Sequence, residues 1–266
     1  MSHLGTPGFT MTKWYADCVD PEGRAAIAYW ASLAIGPVAL TWHSVAVYEP
    51  GAPPCERTSL AGVPPPVEAG GGVSWQAPAL GCEFTADSSP PAPELVLQRA
   101  LPDTIDWRVV APAARSVVRV DGHAPIVGGG YVERLVTTVP PWRLPFSELR
   151  WGRWIAHDGT RSVAWIDWRG GEPHTWMLLD GTPRAGAIVC DTGVRVANVS
   201  LALQEPRTLH ERSLDDITRS MGPFAELVPG SVRALRETKW CSEGRWSTDG
   251  HASNAGWAIH EKVTFR

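Results

Sequence analysis

The chain repeats itself within its 266 residues. Near the start, Lys13-Trp14 leads to a turn at Asp20-Pro21-Glu22-Gly23-Arg24 and then to Ile27-Ala28-Tyr29-Trp30. About 137 residues later, Arg150-Trp151 leads to Asp158-Gly159-Thr160-Arg161 and then to Val163-Ala164-Trp165-Ile166-Asp167-Trp168. A second block follows in each copy. Gly128-Gly129-Gly130-Tyr131-Val132-Glu133-Arg134-Leu135 is echoed by Gly256-Trp257-Ala258-Ile259-His260-Glu261-Lys262-Val263. Two matched blocks in the same order are the mark of a duplicated domain.

The pattern inside each copy is that of strands. Trp14 to Cys18 and Arg24 to Leu33 flank a Pro-Glu-Gly turn, and Leu149 to His157 and Arg161 to Arg169 flank Asp158-Gly159, both hairpin signals. Val38 to Tyr48 follows Gly36-Pro37, with Leu40, Trp42, Ser44 and Ala46 on one face and Thr41, His43, Val45 and Val47 on the other. Pro50 to Pro78, rich in Pro and Gly, reads as one long loop, either a lid or a surface excursion. One short helix is expected from Ser213, where Ser213-Leu214-Asp215-Asp216 offers a cap and acidic first-turn residues, to about Ser220. Many short strands per half give an all-β chain with an antiparallel barrel or sandwich in each half. The expected domains are 1–139 and 149–266. The linker 140–148 contains Pro140, Pro141 and Pro145, which favour an extended crossing.

Net charge is −4, which offers no basic footprint for nucleic acid. The longest apolar run, Ala25 to Leu40, is broken by Gly36-Pro37 and is shorter than the ~20 residues of a membrane span. No nucleic-acid partner, no stable membrane insertion and a cytoplasmic location are therefore expected, and the oligomeric state is not legible. Five scattered cysteines make no C-x-x-C pair and suggest neither a zinc site nor a disulfide framework. The histidines are single, so no metal site is expected. Nucleotide-binding and hydrolase motifs are absent, so no cofactor is expected. The 14 tryptophans are the outlier. They can fill cores, line an apolar pocket or form sugar platforms, and their apolar strand context ranks the last lowest.

Gly130-Tyr131-Val132-Glu133, the Leu149 to Trp154 strand and Trp165-Ile166-Asp167-Trp168 resemble the double-lipocalin superfamily. That group includes AttH-like proteins, carotenoid 1,2-hydratases, tocopherol-cyclase-like proteins and lipocalin-like Diels–Alderases. The resemblance spans nearly the whole chain. It implies two tandem lipocalin-like (calycin) barrels and an apolar polyene, terpenoid or polyketide ligand. Glu133 stands where the hydratases carry Asp, and Arg134-Leu135-Val136 follow in place of their His-Asn-Trp-Gly.

Two carboxyls are catalytic candidates. Glu133 lies in an apolar strand, where desolvation raises a carboxyl pKa and readies it as a general acid. Its alternative is an ion pair with Arg150 or Arg153, which the repeated Glu261-Lys262 favours. Asp167 shares a strand face with Trp165 and could stabilise a cation beside indole rings, or pair with Arg153 at the surface. Arg153, on the face of Trp151, could hold a substrate oxygen or seal a barrel. Tyr131 could bond a substrate carbonyl or pack. His43 could shuttle protons or be structural. Trp42, Trp151 and Trp165 would wall the substrate. Two functions follow: a cofactor-independent cyclase, isomerase or hydratase of isoprenoid or secondary metabolism, or a non-catalytic carrier of the same apolar ligand.

Overall fold

A computed structural model of the protein describes residues 8–87, 89–100, 103–144, 146–213, 215, 235–249 and 251–265. The first half contains β1 (Phe9–Val19), β2 (Ala25–Ile35), β3 (Val38–Tyr48), β4 (Cys55–Ser59), β5 (Val67–Ala69), β6 (Gly72–Ala77), β7 (Cys82–Ala86), β8 (Leu95–Ala100), β9 (Asp103–Val120) and β10 (Ile126–Thr137). The second half contains β11 (Glu148–Ala156), β12 (Ser162–Arg169), β13 (His174–Leu179), β14 (Thr182–Arg184), β15 (Ile188–Cys190), β16 (Gly193–Val196), β17 (Val199–Ser213), β18 (Arg236–Thr248) and β19 (His251–Thr264). Apart from Ser213 and Asp215, the expected helix lies outside the described residues. No described helix is long and apolar enough to cross a membrane.

The two sheets share one topology. The first runs β4-β3-β2-β1-β10-β9-β7-β6-β5, with β8 added beside β9, and the second runs β14-β13-β12-β11-β19-β18-β17-β16-β15. Each curls into a lipocalin-like barrel. Side chains help close the curl: Arg57 of β4 reaches Leu80 O (2.9 Å) and Asp121 O (2.6 Å), and Arg169 of β12 reaches Val189 O (2.6 Å).

Three local expectations change. The stretch Pro50 to Pro78 is not one long loop but carries β4, β5 and β6. The letters suggest two short strands, Thr104 to Val110 and Ser116 to Val120, but the ladder does not break between them. They are one strand, β9, whose pairing with β10 slips around Pro112, where the missing N–H invites a bulge. In place of an extended crossing, Pro141–Arg143 forms a single 3₁₀ turn.

Alternation explains why so many strands are apolar on both faces. On β1, Trp14, Ala16 and Cys18 fill the first barrel, while Tyr15 and Val19 face a separate core. On β11, Trp154 and Ala156 fill the second barrel, while Trp151 and Ile155 join Tyr15 and Val19. This third core is the seam between the barrels. Nine tryptophans are buried across the three cores, so core filling claims most of the Trp surplus.

The duplication has a register that the letters hide. Gly23 N–H bonds Asp20 O, and Gly159 N–H bonds Ala156 O, at equivalent places in the two turns. The second turn is one residue longer, so β1 and β11 correspond at a spacing of 136, the separation of Asp17 and Arg153. Matching Lys13-Trp14 to Arg150-Trp151 is thus one residue out, and a one-residue slip swaps strand faces. Trp14 faces its barrel, whereas Trp151 faces the seam. In true register, Tyr15 is the sister of Trp151 and Asp17 the sister of Arg153. These sisters touch each other, with Tyr15 and Trp151 rings 4.7 Å apart and Arg153 Nη2 2.6 Å from Asp17 Oδ1. Only residues near a two-fold axis meet their own equivalents, so the barrels pack about a pseudo-dyad. The second block matches as read: Glu133 pairs opposite Tyr15, and Glu261 opposite Trp151. A Cβ on Gly128 would lie 2.0 Å from Val19 O, and one on Gly256 2.1 Å from the sister Ile155 O. The repeated glycine is a shared close approach.

Candidate active site at the seam between the barrels

Strand β10 delivers Tyr131 and Glu133 to the seam while Val132 points into the first barrel. Three neutral donors converge on one oxygen of Glu133, Oε2. Trp107 Nε1 donates at 2.6 Å, Tyr131 OH at 2.8 Å and Trp151 Nε1 at 3.0 Å. Trp107 comes from β9 and Trp151 from the other barrel. None of the three uses Oε1. The two buried cations of the seam are paired elsewhere, Arg153 with Asp17 and Lys239 with Glu261. Burial pushes the Glu133 pKa up, and the Lys13 charge and the three hydrogen bonds pull it only part of the way back.

The walls are aromatic. Tyr15 meets Tyr29 edge-on at 5.2 Å, and Tyr131 meets Trp151 at 5.8 Å. Half-buried Trp42, Leu95, Leu135, Leu144, Leu149 and Trp176 pack around the margin of this core. Lys239 Nζ lies 5.1 to 5.8 Å from the ring centroids of Trp151, Tyr15 and Tyr29. A second polar chain crosses the seam, with Tyr48 OH 2.8 Å from His210 Nδ1 and His210 Nε2 2.9 Å from Glu237.

The structure gathers part of the expected set. Glu133, Tyr131 and Trp151 meet directly, and Trp42 stands at the margin, its ring 6.0 Å from that of Tyr29. Arg153 is adjacent but lies between the barrels instead of inside one. Its Nε and Nη2 bond Asp17, and Nη1 bonds Trp257 O at 2.7 Å. Burial works against the charged guanidinium, but Asp17 more than offsets it and holds the pKa up. Glu133 therefore has neither ion pair offered as its alternative. Asp167 and Trp165 point into the second barrel, away from Glu133. The partners of Asp167 are Arg169 Nε at 2.7 Å and Thr175 Oγ1 at 2.6 Å, not Arg153. His43 faces the first barrel, its ring 6.1 Å from Trp75 and both ring nitrogens unpartnered. Burial pushes its pKa down, which favours the neutral ring.

Asp17, Trp107 and Lys239 escaped the sequence reading. Asp17 and Lys239 carried the signal that marked Glu133, a lone charge inside an apolar strand. Two open spaces flank the seam. A cleft of about 690 Å³ lies at its turn end, bordered by Gly128, Arg153 and Trp257. A cavity of about 520 Å³ opens in the second barrel, and Trp151 borders it.

Two antiparallel barrels about a pseudo-dyad, with a polar and aromatic seam, define the double-lipocalin fold of AttH-like proteins. Solved structures with this fold include an AttH from Nitrosomonas europaea, at 13% identity and TM-score 0.58, covering 97% of this chain and 93% of that one. CghA with Sch210972 is 11% identical at TM-score 0.58, covering 97% and 89%. Kievitone hydratase from Nectria haematococca is 7% identical at TM-score 0.56, with the same coverage. At such identities the likeness is one of fold. No protein-family model and no curated protein sequence matches the chain.

Proposed function

We propose that the protein is an enzyme acting on an apolar polyene, terpenoid or polyketide by cyclisation, isomerisation or hydration, with Glu133 as general acid. The observation that carries this reading is the Glu133 carboxyl: 5% exposed, served by three neutral donors on one oxygen, and set apart from the paired cations of the seam. Burial holds the pKa of this group above the ordinary carboxyl value, which favours the protonated form a general acid needs. With Oε2 saturated as an acceptor, the proton sits on Oε1 and can pass to an alkene carbon or a carbonyl oxygen. The resulting cation would form among indole and phenol faces, which stabilise positive charge. The carboxylate then takes a proton back from carbon, or from water that has added. The name of kievitone hydratase, a fold neighbour, describes one such outcome.

A carrier without turnover is the second reading. It draws on the same structure, because Asp17 occupies Arg153 and Arg169 occupies Asp167, leaving Glu133 as the single acid proposed for catalysis. The test incubates wild type and Glu133→Gln with an apolar extract of the native host in deuterated water, with mass-spectrometric readout. Catalysis predicts a converted, deuterium-bearing product that falls by ~10²–10⁴-fold in the variant. An unchanged compound that co-purifies with both proteins makes the chain a carrier.

A further inference from the structure

The two barrels differ sharply in side-chain chemistry at the sister positions Trp14 and Arg150. In the first, Trp14 is buried in the barrel core, with Arg134 5.9 Å from its ring. In the second, its sister at a spacing of 136 is Arg150, on the wall of the 520 Å³ cavity. That volume lies within the ~300–1,000 Å³ range of small-molecule sites. Its inner wall is apolar and aromatic: Trp165, Val189, Leu203 and Trp240, the last stacked on His260 at 5.2 Å.

The charges at the mouth do not balance on the strands alone. Arg150, Arg169 and Lys262 share two strand-borne carboxylates, Glu148 and Asp167. Arg236 and Glu211, which also border the cavity, offset each other in charge, and Glu261 on its wall is neutralised by its partner Lys239. The third anion comes from the turn after β15, where Asp191 Oδ1 sits 2.5 Å from Arg150 Nη1. The Asp191 side chain is 79% exposed and that of Arg150 only 10%. An ion pair with so exposed a carboxylate contributes little, and the guanidinium fork suits any carboxylate that reaches it.

We propose that the second barrel binds a small aromatic carboxylate. Arg150 anchors the acid group, and Asp191 is the resident anion that the ligand displaces. The ring system enters between Trp165 and Trp240. Glu133 does not border this cavity, although its donor Trp151 does, and the proposal does not rest on the catalytic reading.

The experiment is calorimetric titration with naphthalene-2-carboxylate and its uncharged isostere naphthalene-2-carboxamide. Wild type should prefer the carboxylate by about tenfold or more, the scale of one charge-assisted bidentate contact. Arg150→Gln should erase the preference. Asp191→Asn changes only an exposed turn and should tighten the carboxylate about threefold, since it removes the competitor. Equal affinities in wild type, a preference that survives Arg150→Gln, or a loss of carboxylate affinity in Asp191→Asn would overturn the proposal. So would no binding of either probe to wild type and Asp191→Asn. Far-UV circular dichroism confirms folding, and the Asp191→Asn arm decides if Arg150→Gln fails to fold.

Discussion

Glu133 and Glu261 hold the same place in the two halves and live in different chemical worlds. Each sits on the closing strand of its barrel, opposite Tyr15 in one and Trp151 in the other. Each faces the seam. The neighbour across the next ladder differs: Val109 beside Glu133, Lys239 beside Glu261. Lys239 bonds Glu261, so the second carboxylate is one half of an ion pair. Glu133 has neutral donors and no ion-pair partner among the described residues, and burial outweighs the opposing pull of the Lys13 charge and those donors, so its protonated form is favoured relative to an ordinary carboxyl. A duplicated fold keeps strand position and barrel curvature but not chemistry. One residue on the adjacent strand, Val109 or Lys239, decides whether the buried carboxyl has a cation beside it.

The pair nearest the pseudo-dyad offers the largest effect. Arg153→Met leaves Asp17, at 0% exposure, without its ion-pair partner and with only the Tyr15 hydroxyl, among the described residues, donating to it, and should cost about 3–5 kcal/mol in urea unfolding. Asp17→Leu combined with Arg153→Met should recover most of that loss. A single variant as stable as wild type would show that the sisters do not depend on each other.

The next test sets the two carboxyls side by side. Glu261→Gln removes the nearest anion from Lys239. It should cost about 2 kcal/mol, less than a fully orphaned charge, because Glu237 remains 3.7 Å away. Glu133→Gln keeps an acceptor oxygen for the three donors and should change stability by less than about 1 kcal/mol. Equal losses in the two variants would mean that Glu133 is ionised and structural like its sister.

The smallest effect is in pH. A carboxyl whose folded pKa is raised binds its proton more tightly when folded. Its stabilisation is complete below the ordinary value of 4.5 and is lost as pH rises through the folded pKa. Wild type should therefore lose stability relative to Glu133→Gln as pH climbs above 4.5. A difference that stays flat, or grows in favour of wild type, would contradict the raised pKa.

Much of this fold was legible in the chain. Strict alternation placed β1, β2 and β3, and the Asp158-Gly159 pair placed the β11–β12 hairpin. The glycine block located β10 and β19, because both copies need a residue without Cβ against the opposite backbone. What misled was local chemistry. Proline and glycine between Pro50 and Pro78 resembled a loop, yet short strands tolerate them near sheet edges. The site was half legible. Glu133 was picked out because a carboxyl in an apolar strand stands out, and the candidates Tyr131 and Trp151 do meet it. Asp167 and His43 stood out in the same way, but they face barrel interiors and belong to other neighbourhoods.

By itself the sequence determined that the chain is all-β, duplicated and apolar on both faces of its central strands, since period-two patterning and turn chemistry are local properties. Tertiary structure decided which face became barrel and which became seam. Both faces are apolar, so alternation cannot rank them, and the one-residue difference between the two turns moves every sister assignment to the opposite face. The joining of Asp17 to Arg153 and the separation of Glu133 from any paired cation depend on how two barrels meet, a relation between distant strands that no local pattern encodes.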